Sequence, residues 1–196
     1  MLSFESDYIE GAHEKILERL SETNLAPQSG YGFDDYTESA KEKIRRATGC
    51  EDAQVWFFVG GTQANRVVID AMLRPYEGVI AVNSGHISLH EAGAVEATGH
   101  KVLEIPGVDG KLRAKDLKAY LDTFYADENH DHMVRPGIVY ISHPTEFGTL
   151  YTKRELEELS DVCGHYDIPL YMDGVRMGYG LAGMGADVSP PDISRC

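Results

Sequence analysis

The chain has 196 residues, of which 42% are hydrophobic and 26% charged, which fits one globular domain or a large part of one and excludes a disordered chain. Eighteen basic against thirty-two acidic side chains give a net charge of −14, which repels phosphate backbones and anionic lipid, so neither nucleic acid nor a membrane is an expected partner. No apolar run approaches the ~20 residues of a bilayer span, Met1–Glu10 has no apolar signal core, and the three cysteines are far apart and odd in number, so the expected location is the cytoplasm without a disulfide framework.

In chain order, Asp7-x-x-Glu10 resembles a capping box, and Ile9, His13, Ile16, Leu17 and Leu20 follow at helical spacing. Residues 24–36 hold Pro27, Gly30, Gly32, Tyr31, Phe33 and Tyr36 and read as an aromatic loop. Thr37 is the expected cap of a second helix that stops at Gly49. Gln54–Val59 is a continuous apolar run of strand length, and Thr62–Leu73 reads as a helix. Val79–Val82, Lys101–Ile105, Gly137–Ser142 and Ile168–Met172 read as further strands, separated by helices over Ile87–Thr98, Ala114–Tyr125 and Thr152–Tyr166. The last of these opens on the full capping-box signature Thr152-x-x-Glu155. Buried strands alternating with helices predict an α/β class, a mostly parallel sheet in a three-layer α/β/α arrangement with right-handed crossovers. Tyr125–His132 is a polar loop.

Ligands of such sheets bind beyond the carboxyl ends of the strands. After Gln54–Val59 stands Gly60-Gly61-Thr62, where free helix N–H groups and a hydroxyl suit an anion. The same three residues also serve an ordinary turn, and they match neither nucleotide-binding glycine fingerprint. After Val79–Val82 come His86, His90 and Glu91. A histidine here can stack on a flat ring or move protons, or simply cap a helix. Their spacing is not that of a zinc helix. His130-Asp131-His132 reads as a solvated run, and no metal site is expected. After Gly137–Ser142 come His143, Thr145 and Glu146. After Ile168–Met172 comes Asp173, a charge at an apolar strand end that can hold a heteroaromatic nitrogen protonated. Arg176 offers a fork for a carboxylate, although an Asp–Arg surface pair is the plain alternative. An anion cradle, a stacking histidine, an anionic ring partner and a carboxylate clamp together suit pyridoxal 5'-phosphate and an amino-acid substrate.

The chain resembles the threonine aldolase and β-eliminating lyase family of fold-type I pyridoxal-phosphate enzymes. The matching pieces are Ser6-Asp7, Tyr31-Gly32, Val59-Gly60-Gly61-Thr62-Gln63-Ala64-Asn65, Ser84-Gly85-His86 with Glu91 and Gly93-Ala94, and Asp173-Gly174-x-Arg176-Met177, in the family's order. The resemblance implies that Gly61 and Thr62 hold the phosphate, with Gln63 among the cofactor-binding residues, and that His86 stacks on the ring. It implies that Asp173 bonds the pyridine nitrogen and that Arg176 and Ser6 bind the substrate carboxylate. Tyr31 would join the substrate site from an aromatic loop at a subunit interface of a homodimer or homotetramer. On this reading residues 1–49 are N-terminal helices and an interface loop, and 50–196 are part of the cofactor-binding large domain.

Two departures accompany the resemblance. The family's Schiff-base lysine follows one further strand after the Asp-Gly-x-Arg segment. None of Lys15, Lys41, Lys43, Lys101, Lys111, Lys115, Lys118 or Lys153 occupies that position. The expectation is therefore a large domain truncated before its lysine and inactive alone. Family members often place an asparagine near Ser142–Thr145 to meet the cofactor's phenolic oxygen, and here His143 or Thr145 is the candidate. The expected activity is carbon–carbon cleavage or β-elimination on a small β-substituted amino acid, with His86 the candidate base. The alternative is a non-catalytic phosphate-binding or assembly module. A nucleotide-binding oxidoreductase is the third reading, and it lacks the glycine fingerprint.

Overall fold

The computed structural model describes residues 5–196. The chain divides into two compact units, one ending at Ile44 and the other spanning Arg45–Cys196. In the first, helix α1 (Glu14–Thr23) starts at a His13 cap, whose Nδ1 accepts the Lys15 N–H at 3.2 Å. The helix expected from Asp7 therefore starts later. Gly11, a poor helix former, stands between the two, and His13 supplies the side-chain acceptor. Helix α2 (Asp35–Thr48) is capped by Asp34, not by Thr37: the Asp34 carboxylate accepts the Thr37 N–H at 2.8 Å and its hydroxyl at 2.6 Å. It ends at Gly49, whose φ of +66° suits a residue without a Cβ.

The second unit is built on four parallel strands. After helix α3 (Gly61–Met72) come β1 (Glu77–Val82), the short helix α4 (His86–Leu89), β2 (Lys101–Ile105), α5 (Ala114–Ala126), β3 (Arg135–Ser142), α6 (Lys153–His165) and β4 (Leu170–Asp173). Helices α7 (Met177–Ala182) and α8 (Pro190–Ile193) follow. The order across the sheet is β2-β1-β3-β4, every pair parallel. Side chains alternate between two cores. Ile80, Val82, Val139 and Ile141 pack with Leu117 and Leu121 of α5 and Leu156 and Leu159 of α6. Val79, Ala81, Ile138 and Tyr140 pack with Ile69 of α3, Ile87 and Val95. Period-two alternation with apolar partners on both faces is the three-layer α/β/α arrangement.

Two expected elements differ. Residues 54–59 form no strand. They pair with none of the four, and Trp56 is 73% and Val59 95% exposed. Apolar character alone does not make a strand without a neighbour to complete its ladder. The helix expected over Ile87–Thr98 breaks after α4 into a turn and a 3₁₀ segment at Glu96–Thr98. Ala92 (φ +52°) and Gly93 (φ +74°) are both left-handed, a conformation no right-handed helix passes through. The capping box at Thr152 is formed as expected: Thr152 accepts the Glu155 N–H, and Glu155 accepts the Thr152 N–H at 2.8 Å.

Inside the sheet, Gly78 marks a register shift of β1 against β3. A Cβ there would lie 2.6 Å from the Lys101 carbonyl oxygen and 2.9 Å from Val134 Cγ1. Backbone must move to admit it. Gly78→Ala is expected to lower stability by about 1–3 kcal/mol, seen as a lower urea midpoint at unchanged slope. A midpoint equal to that of the parent chain would contradict the close approach.

Candidate active site

The carboxyl ends of β1, β3 and β4 and the first turns of α3 and α4 bring together one hydrogen-bonded cluster. Asp173 is the last residue of β4, in register with Ser142 at the end of β3. Its Oδ2 accepts the Tyr140 hydroxyl at 2.8 Å and Asn65 Nδ2 at 3.0 Å, and its Oδ1 accepts the Val175 N–H at 3.1 Å. Asn65, one turn into α3 and buried, donates its other amide hydrogen to Glu91 Oε1 at 2.7 Å and accepts the Tyr171 hydroxyl at 2.7 Å. The same Glu91 oxygen lies 2.9 Å from His86 Nδ1. Glu146 closes the ring from the loop after β3: its Oε1 accepts the His86 N–H at 2.9 Å and the Ser142 hydroxyl at 2.6 Å. Ser142 has one proton, so this short bond prevails over its 3.2 Å contact with Tyr140.

The two phenols are donors. Burial, then the Asp173 charge, pushes Tyr140 far above the ordinary phenol range. Burial, then Asp173 and Glu91, raises Tyr171 likewise. Ligand atoms of His86, Glu91 and Asp173 lie within 4.8 Å of one another. The two carboxylates nevertheless point at the Asn65 amide, whose hydrogens supply the positive partner a cation would otherwise give.

Asp173 also fits a ring nitrogen by count. A carboxylate offers about four lone-pair sites, and among the described residues three donors occupy Asp173, which leaves one on Oδ1 for a ligand N–H. The corner at Gly61 suits an anion. Gly60, Gly61 and Thr62 are exposed, the α3 cap makes no side-chain bond, and the Val175 side chain lies 4.0 Å from where a Gly61 Cβ would stand. The glycine corner thus adjoins the turn that follows Asp173. Gln63 is engaged locally, its Oε1 accepting the Val59 N–H at 3.0 Å. Arg176 caps α7, with its carbonyl oxygen bonded by the N–H groups of Tyr179 and Gly180. Ser6 and the fully exposed Tyr31 belong to the first unit, whereas the cluster is made wholly from the second.

Of the residues after β3, His143 and Thr145 do not join the cluster. His143 is buried with its Nδ1 accepting the Tyr151 N–H at 3.3 Å, and Thr145 bonds Thr149. Glu146 joins instead. Asn65, Tyr140 and Tyr171 carried no chemical signal of their own in the sequence. Strand alternation puts Tyr140 and Tyr171 in register on one face, and that is the signal that would have found them. His130 packs against the Phe124 and Tyr125 rings and bonds the Asp127 carbonyl.

The model of the β-eliminating lyase family matches residues 3–189. The chain belongs to the β-eliminating lyase family. It is 31% identical to a low-specificity L-threonine aldolase of Pseudomonas aeruginosa, a match covering 97% of this chain and 54% of that one. A threonine aldolase structure from Leishmania major superposes with a TM-score of 0.92 at 44% identity, again covering 97% of this chain and 54% of that one. A Listeria monocytogenes structure described as a putative L-allo-threonine aldolase shares the fold at 22% identity and a TM-score of 0.71. The chain spans about half the length of these relatives. Among the described residues of this family member no helix is long and apolar enough to cross a membrane.

Burial, and then the charge of Lys111, holds the His143 imidazole below its ordinary value of 6.5. The folded state therefore binds fewer protons at this group than the unfolded chain. The contribution of neutral His143 is full above about 6.5 and is lost as pH falls through the lower folded value. His143→Gln, which keeps an acceptor for Tyr151, is expected to flatten the fall in urea midpoint just below that pH. Identical pH dependence in both chains would rule this out.

Proposed function

We propose that the chain carries much of the cofactor site of a pyridoxal-phosphate-dependent lyase acting on a small β-substituted amino acid. The observation that supports this best is the single acceptor position left on Asp173, beside an exposed glycine corner at a helix start. When bound, pyridoxal phosphate supplies an electron-poor ring that stabilises negative charge on the substrate carbon next to nitrogen. On this reading Gly61, Thr62 and Gln63 provide the anion cradle. Asp173 holds a proton on the ring nitrogen by its charge, while Tyr140 and Asn65 keep its carboxylate oriented. His86 lies against the ring and exchanges a proton at the substrate's β-substituent. Arg176, with Ser6 and Tyr31, receives the substrate carboxylate in a homodimer or homotetramer of the cytoplasm. Threonine-type cleavage is favoured over β-elimination by the relatives matched at 31% and 44% identity.

On this proposal none of the lysines of this chain serves as the Schiff-base lysine such an enzyme needs. Lys111, after β2, and Lys153, after β3, are ion-paired with Glu155 and Asp192. This chain alone should bind the cofactor without turning substrate over.

Titration with pyridoxal phosphate tests the reading. Asp173→Asn is expected to weaken binding about 10- to 100-fold, the scale of a charged hydrogen bond. Borohydride should fix the cofactor covalently at the site in a C-terminally extended form but not in this chain. Equal affinity of the parent and Asp173→Asn chains would sink the proposal. In the full-length enzyme, His86→Phe keeps a flat ring and should lower turnover by about 10²-fold or more. Unchanged turnover would remove His86 from proton transfer.

A further inference from the structure

Which nitrogen of His86 carries the proton is decided by the groups around Glu91. The Glu91 side chain is fully buried, and its Oε1 stands 2.9 Å from His86 Nδ1 and 2.7 Å from Asn65 Nδ2. The orientation of the Asn65 amide is fixed by its three partners. Tyr171 is a donor to Oδ1, while a flipped amide would turn that oxygen onto two carboxylates. Glu91 Oε1 is thus an acceptor toward Asn65. An ionised carboxylate has no proton to give, so Glu91 Oε1 accepts from both of its neighbours. The proton between ring and carboxylate therefore belongs to His86 Nδ1. The backbone holds the same geometry from a second side. Glu146 bonds the His86 N–H, and the left-handed pair Ala92–Gly93 turns the chain sharply just after Glu91.

We propose that Glu91 is a positioning residue that fixes neutral His86 in the tautomer protonated at Nδ1, leaving Nε2 as the nitrogen that accepts a proton. A carboxylate behind an imidazole selects the tautomer and fixes the ring's orientation, as it does behind histidines that ligate metals. The functional consequence rests on the reading of His86 given above. The tautomer itself does not.

The test is nitrogen NMR on the imidazole-labelled 196-residue chain without cofactor, at a pH where the rings are neutral. The His86 resonances are assigned by their loss in His86→Phe. The expected spectrum has Nδ1 in the proton-bearing range and Nε2 in the lone-pair range, with the Nδ1–H form favoured at least about tenfold. Glu91→Gln keeps an acceptor oxygen and should keep this tautomer. Glu91→Ala should lose the preference. A parent chain protonated on Nε2, or a Glu91→Ala spectrum equal to that of the parent, would overturn the inference. If Glu91→Ala does not fold, the parent and Glu91→Gln spectra decide. Cofactor titration is a separate measurement: failure there with the tautomer intact counts against the proposed function alone, and the reverse result counts against Glu91 alone.

Discussion

Everything at the strand ends depends on one amide group. Asn65 lies 26 residues from Glu91 and 108 from Asp173 in sequence, yet its two amide hydrogens reach both carboxylates. Without that bridge two acidic groups would face one another across a half-buried space, where like charges repel far more strongly than in water. With it, the carboxylate that reaches His86 and the carboxylate with a spare acceptor are held at a set separation. Tyr171 completes the valence of the amide and prevents its rotation.

That bridge exists because of the sheet. In parallel strands every carboxyl end points the same way, so β1, β3 and β4 deliver their following residues to one edge. Asp173 and Ser142 are in register there, and Tyr140 and Tyr171 sit side by side on the face that α3 covers. Helix α3 starts at the same edge with an uncapped first turn, and Asn65 is the residue one turn in. The cluster is thus a product of topology acting on residues that are unremarkable individually.

Much of this was legible in the sequence, for local reasons. The Thr152–Glu155 box is formed because both bonds span three residues. The four strands of the sheet are short apolar runs between helices, which a pattern of period and length reveals. Asp173 stood out as a charge after an apolar strand. What failed needed partners that no local pattern shows. Residues 54–59 are as apolar as β3 but have no ladder. The break at Ala92 places φ values in a region that alanine rarely visits, and Asp34 caps a helix whose cap the local pattern assigns to Thr37. In the sequence Asn65 is a motif letter and Glu146 a polar neighbour, and only distance in space gives them their roles. Asn65 shows why: two of its partners, Asp173 and the Tyr171 phenol, are from β4 and the third, Glu91, is from the loop after α4.

The same geometry leaves two acceptors without donors. Glu91 Oε2 and Glu146 Oε2 are buried and have no hydrogen-bond partner among the described residues. Their sister oxygens define the position of that histidine, Glu91 through the ring and Glu146 through the backbone. Each carboxylate is turned by its bond to His86, and its far oxygen goes where that turn leaves it. One histidine is thus held from two separate loops, through its ring and through its backbone, and two such anchors restrict a side chain to one orientation more tightly than packing of a half-exposed ring alone.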